Sequence, residues 1–392
     1  MKPVDDLKAL LGALPSAPDY LYDWKALSRF PCLKSYFDGM AKTHQHLPWH
    51  GEDDVWTHTK MVCEALTGLP YFRMLTDETR NALALAALLH DIGKISCTRL
   101  EDGILRSPRH GPLGAQLARK MLWTEFGLSG TPEKQRFREA VCLLIRYHTQ
   151  PLHLFEKQDA VAQALKLAAN GELVPGFSWH TLCLLSEADA LGRIAPDKEA
   201  KRNDVELTRE AAREAGCYDR PFAFPSAHTE RALFRGGRVW PEQELYDDTW
   251  GEVILLCGLP GTGKDTWIRS NYHGLPTVCL DDLRVKLGVK PSGNSGGLIQ
   301  AAKEQAREYL RKRQPFIWNA TNLTSKRKEL IDLFESYGAR VKIVFLETGW
   351  EENLRRNAGR ADAVPEGKLG EMLGNLEPPQ RFEAQNVDWI CV

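Results

Sequence analysis

The chain has 392 residues, more than a single hydrophobic core usually organises, so two domains are expected. With 51 basic and 52 acidic residues the net charge is close to zero, which excludes a strongly basic nucleic-acid scaffold. Nine cysteines without a Cys-x-x-Cys pair, an N-terminus without a signal-peptide layout and the lack of any apolar run of membrane-spanning length favour a cytoplasmic protein without a membrane partner.

The first half of the chain predicts an all-α domain. Periodic apolar residues separated by Pro, Gly or Asp breaks predict helices from Leu7 onward, and strand signals are absent before Val253. Segment 76–91 begins with a capping signal and is then apolar nearly all round, which predicts a central helix. Further helices are predicted at 133–148 and 178–193. We place this domain at residues 1–240, with its core at about 40–195 and a connecting segment at 196–240.

The second half, residues 241–392, changes to short apolar strands in alternation with helices. Strands are predicted at 252–257, 276–280, 315–320, 340–346 and 387–392, and helices most clearly at 301–313 and 325–338. Such alternation predicts an α/β domain whose central parallel sheet is covered on both faces.

A phosphate-binding P-loop is predicted directly after the first of these strands. The sequence GLPGTGKDTW supplies backbone N–H groups and a lysine to nucleotide phosphates from Gly258, Gly261, Thr262, Gly263, Lys264, Asp265 and Thr266. The motif predicts ATP or another nucleoside triphosphate with Mg²⁺. Asp265 stands where Ser or Thr usually holds Mg²⁺, so Asp265 acting through water, or Thr266, would have to replace that contact.

The histidines and acidic residues of the first half form a candidate metal constellation: His58, His90, Asp91, His110, His148 and Asp189. Ionisable residues that close an otherwise apolar helix are costly to bury unless a cation pairs with them. Lys94 and Arg109 either neutralise phosphate oxygens or form a solvated surface pair. His44, His46, His50 and His153 lie near the motif and are not predicted as ligands, although His50 could reach the cleft.

In order and spacing, this constellation resembles the HD-domain metal-dependent phosphohydrolases, which are all-helical. The resemblance implies that His58, His90, Asp91 and Asp189 hold one metal, with His110 and His148 on a second and Asp91 as a candidate bridge. It also implies phosphoester hydrolysis by metal-activated water, with Asp91 and Lys94 in the catalytic set. The ions would be one or two divalent transition metals, Mn, Fe, Co, Ni or Zn.

Downstream of the P-loop, Asp281 follows a predicted strand, where a carboxylate either takes a proton from an attacking hydroxyl or caps a helix. With Thr321-Asn322 and the segment from Arg355 to Pro365, it resembles the phage-type polynucleotide 5′-kinases. That resemblance implies Asp281 as general base, Lys264 and Arg360 as catalytic cations and Arg356 beside Arg360 on the donor phosphates. The acceptor would be bound by Arg284, Thr321 and Asn322.

The order of the two domains resembles the bacterial HD-domain polynucleotide kinases, bifunctional enzymes that heal RNA ends. This implies removal of 3′-, 2′- or 2′,3′-cyclic phosphate by the first domain and phosphorylation of 5′-hydroxyl ends by the second. The partners would be RNA or DNA ends, RNA favoured, and functionally a nucleic-acid ligase. The alternatives are a mononucleotide phosphohydrolase fused to a nucleoside or small-metabolite kinase, and an HD phosphohydrolase regulated by a nucleotide-sensing P-loop module.

Overall fold

The computed structural model describes residues 6–47, 49–288, 296–320, 324–360 and 362–392, and of residue 325 the backbone alone. These residues form two compact units. The first comprises the described chain up to Ser129 together with Glu133–Phe222, and the second comprises Gly130–Pro132 and the described part of Ala223–Val392. Each unit is treated by itself below.

The first unit is mainly helical, as predicted. Its α-helices are α1 Leu7–Gly12, α2 Trp24–Leu27, α3 Pro31–Met40, α4 Val55–Gly68, α5 Pro70–Met74, α6 Asp77–Leu89, α7 Lys94–Cys97, α8 His110–Thr124, α9 Pro132–Tyr147, α10 Ala160–Ala168, α11 Trp179–Leu191 and α12 Lys198–Glu214. Short 3₁₀ helices lie at Gln150–Leu152, Leu154–Glu156 and Ala169–Glu172.

Two buried helices end beside the candidate metal ligands. Helix α6 starts at its Thr76 cap, buries every residue from Ala82 to Leu89 and ends where His90 begins. Helix α11 starts with a capping box between Ser178 and Thr181 and carries Asp189 near its C-terminal end. Because apolar burial on all sides fixes both helices, the polar groups at their ends are held in place by the core.

The prediction that strands are absent before Val253 is wrong. Strands β1 Arg99–Glu101 and β2 Ile104–Arg106 form an antiparallel hairpin. Asp102 and Gly103 connect them with φ angles of 52° and 78°. An Asp-Gly pair between two short strands is the turn that a two-residue hairpin requires, because both central residues take positive φ. The strands are too short for a periodicity signal, so only the Asp-Gly pair could have predicted the hairpin from the sequence.

The second unit alternates strands and helices. Its elements are α13 Ala227–Phe234, β3 Glu252–Cys257, α14 Lys264–Asn271, β4 Thr277–Cys279, α15 Leu280–Lys286, α16 Gly296–Arg311, β5 Ile317–Asn319, α17 Thr324–Ser336, β6 Arg340–Glu347, α18 Trp350–Ala358, α19 Glu366–Gly374, a 3₁₀ helix at Arg381–Glu383 and β7 Asn386–Cys391.

Strands β3 to β7 form a five-stranded sheet in the order β4-β5-β3-β6-β7, and every pair in it is parallel. This confirms the predicted α/β class. Successive residues of a strand point to opposite faces, and all of Val253–Cys257 are buried, so both faces of the sheet are covered at its centre. The carboxyl ends of β3, β4 and β5 lie side by side at one edge of the sheet.

The units divide near Phe222, whereas the sequence places the domain boundary at residue 240. Helix α13 falls between these positions and packs within the second unit. Its Arg231 donates to Glu335 of α17 at 2.7 Å and to the carbonyl oxygen of Phe382 at 2.8 Å. The Pro- and Gly-rich stretch that suggested a boundary follows α13. Composition alone therefore does not show that α13 packs within the second unit.

Across the described ranges, no helix combines the length and apolar character needed to cross a membrane.

Candidate functional sites

Five elements of the first unit bring the predicted metal ligands together. Helix α4 supplies His58, the end of α6 supplies His90 and Asp91, the start of α8 supplies His110, the end of α9 leads to His148, and α11 supplies Asp189. All except His110, which is partly exposed, are at most 2% exposed. Residues distant in sequence therefore converge on one buried polar centre.

The ligand atoms fall into two groups, within each of which they lie no more than 4.8 Å apart: His58, His90 and Asp189, and Asp91, His110 and His148. In the first group His58 Nε2 lies 3.0 Å from Asp189 Oδ1. In the second, the Nε2 atoms of His110 and His148 lie 3.2 Å apart. Two neighbouring cation sites of mixed imidazole and carboxylate ligands fit this arrangement.

Asp91 faces both groups. Its Oδ2 lies 3.3 Å from His90 Nε2 and 3.7 Å from His58 Nε2, while its Oδ1 lies 3.5 Å from His110 Nε2. One carboxylate oxygen therefore points to each group, as a bridging ligand requires. The sequence resemblance places Asp91 with the first metal; the geometry groups it with the second and brings it near both.

Three of the histidines share one orientation. His90 Nδ1 lies 2.8 Å from the carbonyl oxygen of Ala87, and the Nδ1 atoms of His110 and His148 lie 2.9 and 2.7 Å from carbonyl oxygens three residues earlier. Such a contact fixes the Nδ1–H tautomer and leaves the Nε2 lone pair for a metal. For His90 and His148 the carbonyl belongs to the last turn of the preceding helix, and for His110 it belongs to Ser107, just before α8.

The charge state of the centre suits a cation. Burial on its own would raise the pKa of Asp91, but the charges of Lys94 and His90 hold that pKa well below its usual range. Burial lowers the pKa of His148 to about 3, so its imidazole is neutral near pH 7. His90 Nε2 and Asp91 Oδ1 are buried and make no hydrogen bond among the described residues, while Asp91 Oδ2 is ion-paired with Lys94 Nζ at 2.7 Å. The residues therefore fit divalent metal ions.

A cleft of about 270 Å³ opens over the second ligand group, since Asp91, His110 and His148 line it. Its walls come from the loop before α4, which carries His44, His46 and His50, and from the β1–β2 hairpin through Ile104 and Leu105. The sequence does not predict these three histidines as ligands, although it allows His50 to reach the cleft, and His50 does line it. His153 lies apart, with its Nδ1 2.8 Å from exposed Glu156.

Lys94 also lines the cleft, but it is only 7% exposed and does not belong to a solvated surface pair. Its Nζ lies 2.7 Å from Asp91 Oδ2 and donates to Gln45 Oε1 at 2.7 Å. Arg109 is exposed and holds a left-handed backbone at the start of α8. Lys94 therefore offsets the charge of Asp91, and Gln45 fixes the position of the Lys94 ammonium.

Residues outside the predicted set complete the centre. Arg193 Nη2 donates to Asp189 Oδ2 at 2.8 Å. Glu52 is buried, with its Oε1 at 2.8 Å from His50 Nδ1 and 3.0 Å from His58 Nδ1. Burial would raise the pKa of Glu52, but the contacts with His50 and His58 hold it well below its usual range. No spacing rule distinguishes Glu52 from its acidic neighbours Asp53 and Asp54.

In the second unit the P-loop joins β3 to α14. Its glycines Gly258, Gly261 and Gly263 take φ angles of 145°, 84° and 85°. A Cβ at Gly258 would lie 2.5 Å from the carbonyl oxygen of Leu346, so only glycine fits there. The loop thus turns sharply enough for α14 to begin at Lys264, with its N-terminus at the carboxyl edge of the sheet.

Lys264 Nζ donates to the carbonyl oxygens of Gly258 and Leu259 at 3.0 and 2.9 Å. Burial lowers the pKa of Lys264 to about 8; the charge of Arg360 acts in the same direction, whereas Asp265 and Asp281 oppose it. These groups are therefore close enough to interact electrostatically. Arg356 lies beside the loop, since a Cβ at Gly263 would be 3.5 Å from its Nη1.

Asp265 points toward the neighbouring strand. Its Oδ1 accepts a 2.7 Å hydrogen bond from Asn319 Nδ2, at the end of β5, and its side chain is exposed. Thr266 is also exposed. Both residues stand in the first turn of α14, and Asp265 has a defined orientation beside the phosphate-binding loop.

Asp281 lies in the first turn of α15, immediately after β4. The N-cap of this helix is Cys279, so the alternative in which Asp281 caps the helix is wrong. Arg284 donates to Asp281 Oδ1 at 2.5 Å. Thr321 and Asn322, the other predicted acceptor residues, lie outside the described residues.

Comparison with known proteins gives different family matches for the two halves of the chain. Residues 54–169 match the family described as HD domain, and residues 253–379 match the family described as AAA domain. Similar curated proteins include heterogeneous nuclear ribonucleoprotein U-like protein 2 of Homo sapiens and of Mus musculus, 30% and 29% identical over 153 residues. Each alignment covers 34% of this chain, which spans only 20% of the length of either relative.

The matches and the two sites agree on one organisation: the chain joins an HD domain of the phosphohydrolase kind to a P-loop, kinase-like domain.

Proposed function

We propose that the protein heals broken nucleic-acid ends with two activities. Its first unit removes 3′-, 2′- or 2′,3′-cyclic phosphate, and its second unit transfers the γ-phosphate of ATP to a 5′-hydroxyl. The observation that carries the proposal is the pairing of a buried His/Asp centre with a P-loop near which an aspartate and an arginine form a hydrogen-bonded pair. A ligase could seal the resulting ends.

In the first unit, the two ligand groups would hold divalent metals, which would supply an acidified water and positive charge for phosphoester hydrolysis. Asp91 would join the two ligand groups. Lys94 keeps Asp91 ionised and adds positive charge at the cleft wall. Arg193 donates to both oxygens of Asp189, to Oδ2 at 2.8 Å and to Oδ1 at 3.3 Å, and so fixes the carboxylate whose Oδ1 lies 3.0 Å from His58 Nε2.

In the second unit, phosphoryl transfer needs a positioned nucleophile and positive charge on the migrating group. The P-loop N–H groups and Lys264 would bind the donor phosphates, and Arg356 and Arg360 would approach from α18 and the segment after it. Asp281 would accept the proton of the 5′-hydroxyl. Arg284, which contacts Asp281, would bind the acceptor phosphate next to that hydroxyl and orient the base.

RNA is the favoured polymer in this proposal. The human and mouse proteins that resemble part of the chain are named as heterogeneous nuclear ribonucleoprotein U-like, which supports a connection with RNA. A 2′,3′-cyclic phosphate also requires a ribose 2′-hydroxyl, so a cleavage end of this kind exists only in RNA.

The test uses an RNA with a 5′-hydroxyl and a 2′,3′-cyclic phosphate, together with ATP, Mg²⁺ and Mn²⁺, and maps both ends by mass spectrometry. We expect a 5′-phosphate and a 3′-terminus without phosphate. His90→Ala should abolish the change at the 3′ end and leave the 5′-kinase activity nearly intact, and Lys264→Ala should do the converse. An RNA unchanged at both ends would contradict the proposal.

A small-molecule kinase is distinguished by Arg284→Ala. On the polynucleotide proposal this change lowers activity on acceptors with a phosphate beside the 5′-hydroxyl much more than activity on nucleosides. Equal losses on both acceptors would favour a nucleoside or metabolite kinase. Unchanged ATP turnover in Asp281→Ala would instead favour a nucleotide-sensing module.

A further inference from the structure

A buried carboxylate outside the ligand set contacts the candidate metal centre from behind. The side chain of Glu52 is fully buried. Its Oε2 accepts a 3.0 Å hydrogen bond from the backbone N–H of Ile194, which anchors one oxygen. Its other oxygen lies 3.0 Å from His58 Nδ1 and 2.8 Å from His50 Nδ1. Glu52 is thus fixed by the backbone on one side and faces two imidazoles on the other.

His58 differs in this respect from the other candidate ligand histidines. The Nδ1 atoms of His90, His110 and His148 are hydrogen-bonded to backbone carbonyl oxygens, whereas Nδ1 of His58 lies at ion-pair distance, 3.0 Å, from a carboxylate oxygen of Glu52. A carboxylate behind an imidazole fixes the ring orientation as a carbonyl does and also increases the basicity of the opposite nitrogen. On His58 that nitrogen is Nε2, which faces Asp189 and Asp91.

Glu52 and Asp189 approach different nitrogens of the His58 ring: Glu52 Oε1 lies 3.0 Å from Nδ1, and Asp189 Oδ1 lies 3.0 Å from Nε2. Glu52 is not among the residues that line the cleft, while His50, which it contacts, is. The negative charge of Glu52 therefore acts on the candidate metal centre through His50 and His58, and His58 belongs to the first ligand group.

We propose that Glu52 is a positioning residue of the metal centre, which orients His58 and strengthens its Nε2 as a ligand for a divalent transition metal in the group with His90 and Asp189. This inference rests on the proposed metal-dependent function of the first unit. It predicts that loss of the carboxylate charge weakens one metal site and spares the site of Asp91, His110 and His148.

The experiment uses the full chain, stripped of metal with a chelator and titrated with Mn²⁺ in a calorimeter. Glu52→Gln keeps the size of the side chain and removes its charge, so we expect a fall of about 10- to 100-fold in Mn²⁺ affinity at one site. Loading with Co²⁺ adds a spectroscopic readout, because the visible bands of the ion should shift when the His58 ligand weakens. Glu52→Asp, which keeps the charge, should recover part of the affinity.

The matched control is Glu156→Gln, which removes an exposed carboxylate beside the partly exposed His153 and should leave Mn²⁺ binding unchanged. Melting temperatures of the metal-free variants separate folding from binding. Lower melting temperatures with wild-type Mn²⁺ affinity would reduce Glu52 to a structural role and overturn the inference. A folded wild-type protein that binds no divalent metal would overturn the proposed hydrolase centre as well.

Discussion

At the residue scale, two adjacent aspartates in the first turn of α15 offer a sharp comparison. Asp281 accepts a hydrogen bond from Arg284 and influences the pKa of Lys264, and both Asp281 and Asp282 are exposed. If Asp281 is the general base, Asp281→Asn lowers kcat for 5′-phosphorylation by about 10²- to 10⁴-fold and leaves ATP affinity nearly unchanged. Asp282→Asn, the control, should retain most of the activity. Similar kcat values for the two variants would contradict this role.

Lys264 gives a prediction about pH. Its pKa of about 8 means that the free protein loses the ammonium charge as the pH rises through 8. Bound phosphates favour the charged form and raise the pKa again, so ATP binding near pH 9 should take up a proton, and binding near pH 6 should take up none at this group. Calorimetry in buffers of different ionisation enthalpy measures the uptake. Lys264→Arg, which stays charged, should show none; equal uptake in this variant would locate the proton elsewhere.

The residues of the HD motif could be found from the sequence because histidines and acids at the ends of apolar helices are costly without a partner. Gln45, Glu52 and Arg193 could not be found in this way. Each lies in a polar loop or at a helix end, where such residues are ordinary surface groups, and only tertiary contacts place them behind the ligands. The pairing of Asp265 with Asn319 was hidden for the same reason.

At the element scale, the P-loop depends on the backbone of one glycine. A methyl group at Gly258 would contact the carbonyl oxygen of Leu346 at 2.5 Å, on a backbone with φ of 145°. Gly258→Ala should cost about 1–3 kcal/mol in this loop and weaken ATP binding at least about tenfold, measured by a fluorescent ATP analogue. Gly297→Ala, in α16, meets nothing within 4 Å and serves as the control. Wild-type ATP affinity in Gly258→Ala would show that the loop can accommodate a methyl group at this position.

The elements of the second unit were predicted closely, since short apolar strands and amphipathic helices differ in period. All five predicted strands correspond to β3–β7. The β1–β2 hairpin of the first unit was missed, because three-residue strands are too short to show alternation. This hairpin nevertheless forms a wall of the cleft through Ile104 and Leu105.

At the scale of the whole molecule, the assignment of α13 to the second unit places the domain boundary before residue 227, and this boundary can be tested. A fragment of residues 223–392 keeps buried Leu233 and Phe234 and the ion pair of Arg231 with Glu335, and a fragment of 241–392 loses them. Loss of this apolar burial should lower the melting temperature by at least about 5 °C. Arg231→Ala in the longer fragment should reproduce part of the loss. Equal melting temperatures for the two fragments would favour the boundary at residue 240.

The sequence by itself determined the two kinds of domain and the residue types of both sites. The signals used were local: periodicity, a glycine-rich loop after an apolar strand, and ionisable residues on apolar helices. Such signals can be read without knowledge of the fold. The tertiary structure decided which candidate ligands lie together, that Asp91 faces both groups, that Lys94 is buried against it and that Glu52 lies behind His58. These features depend on distances between chain segments up to 131 residues apart, which no local pattern encodes.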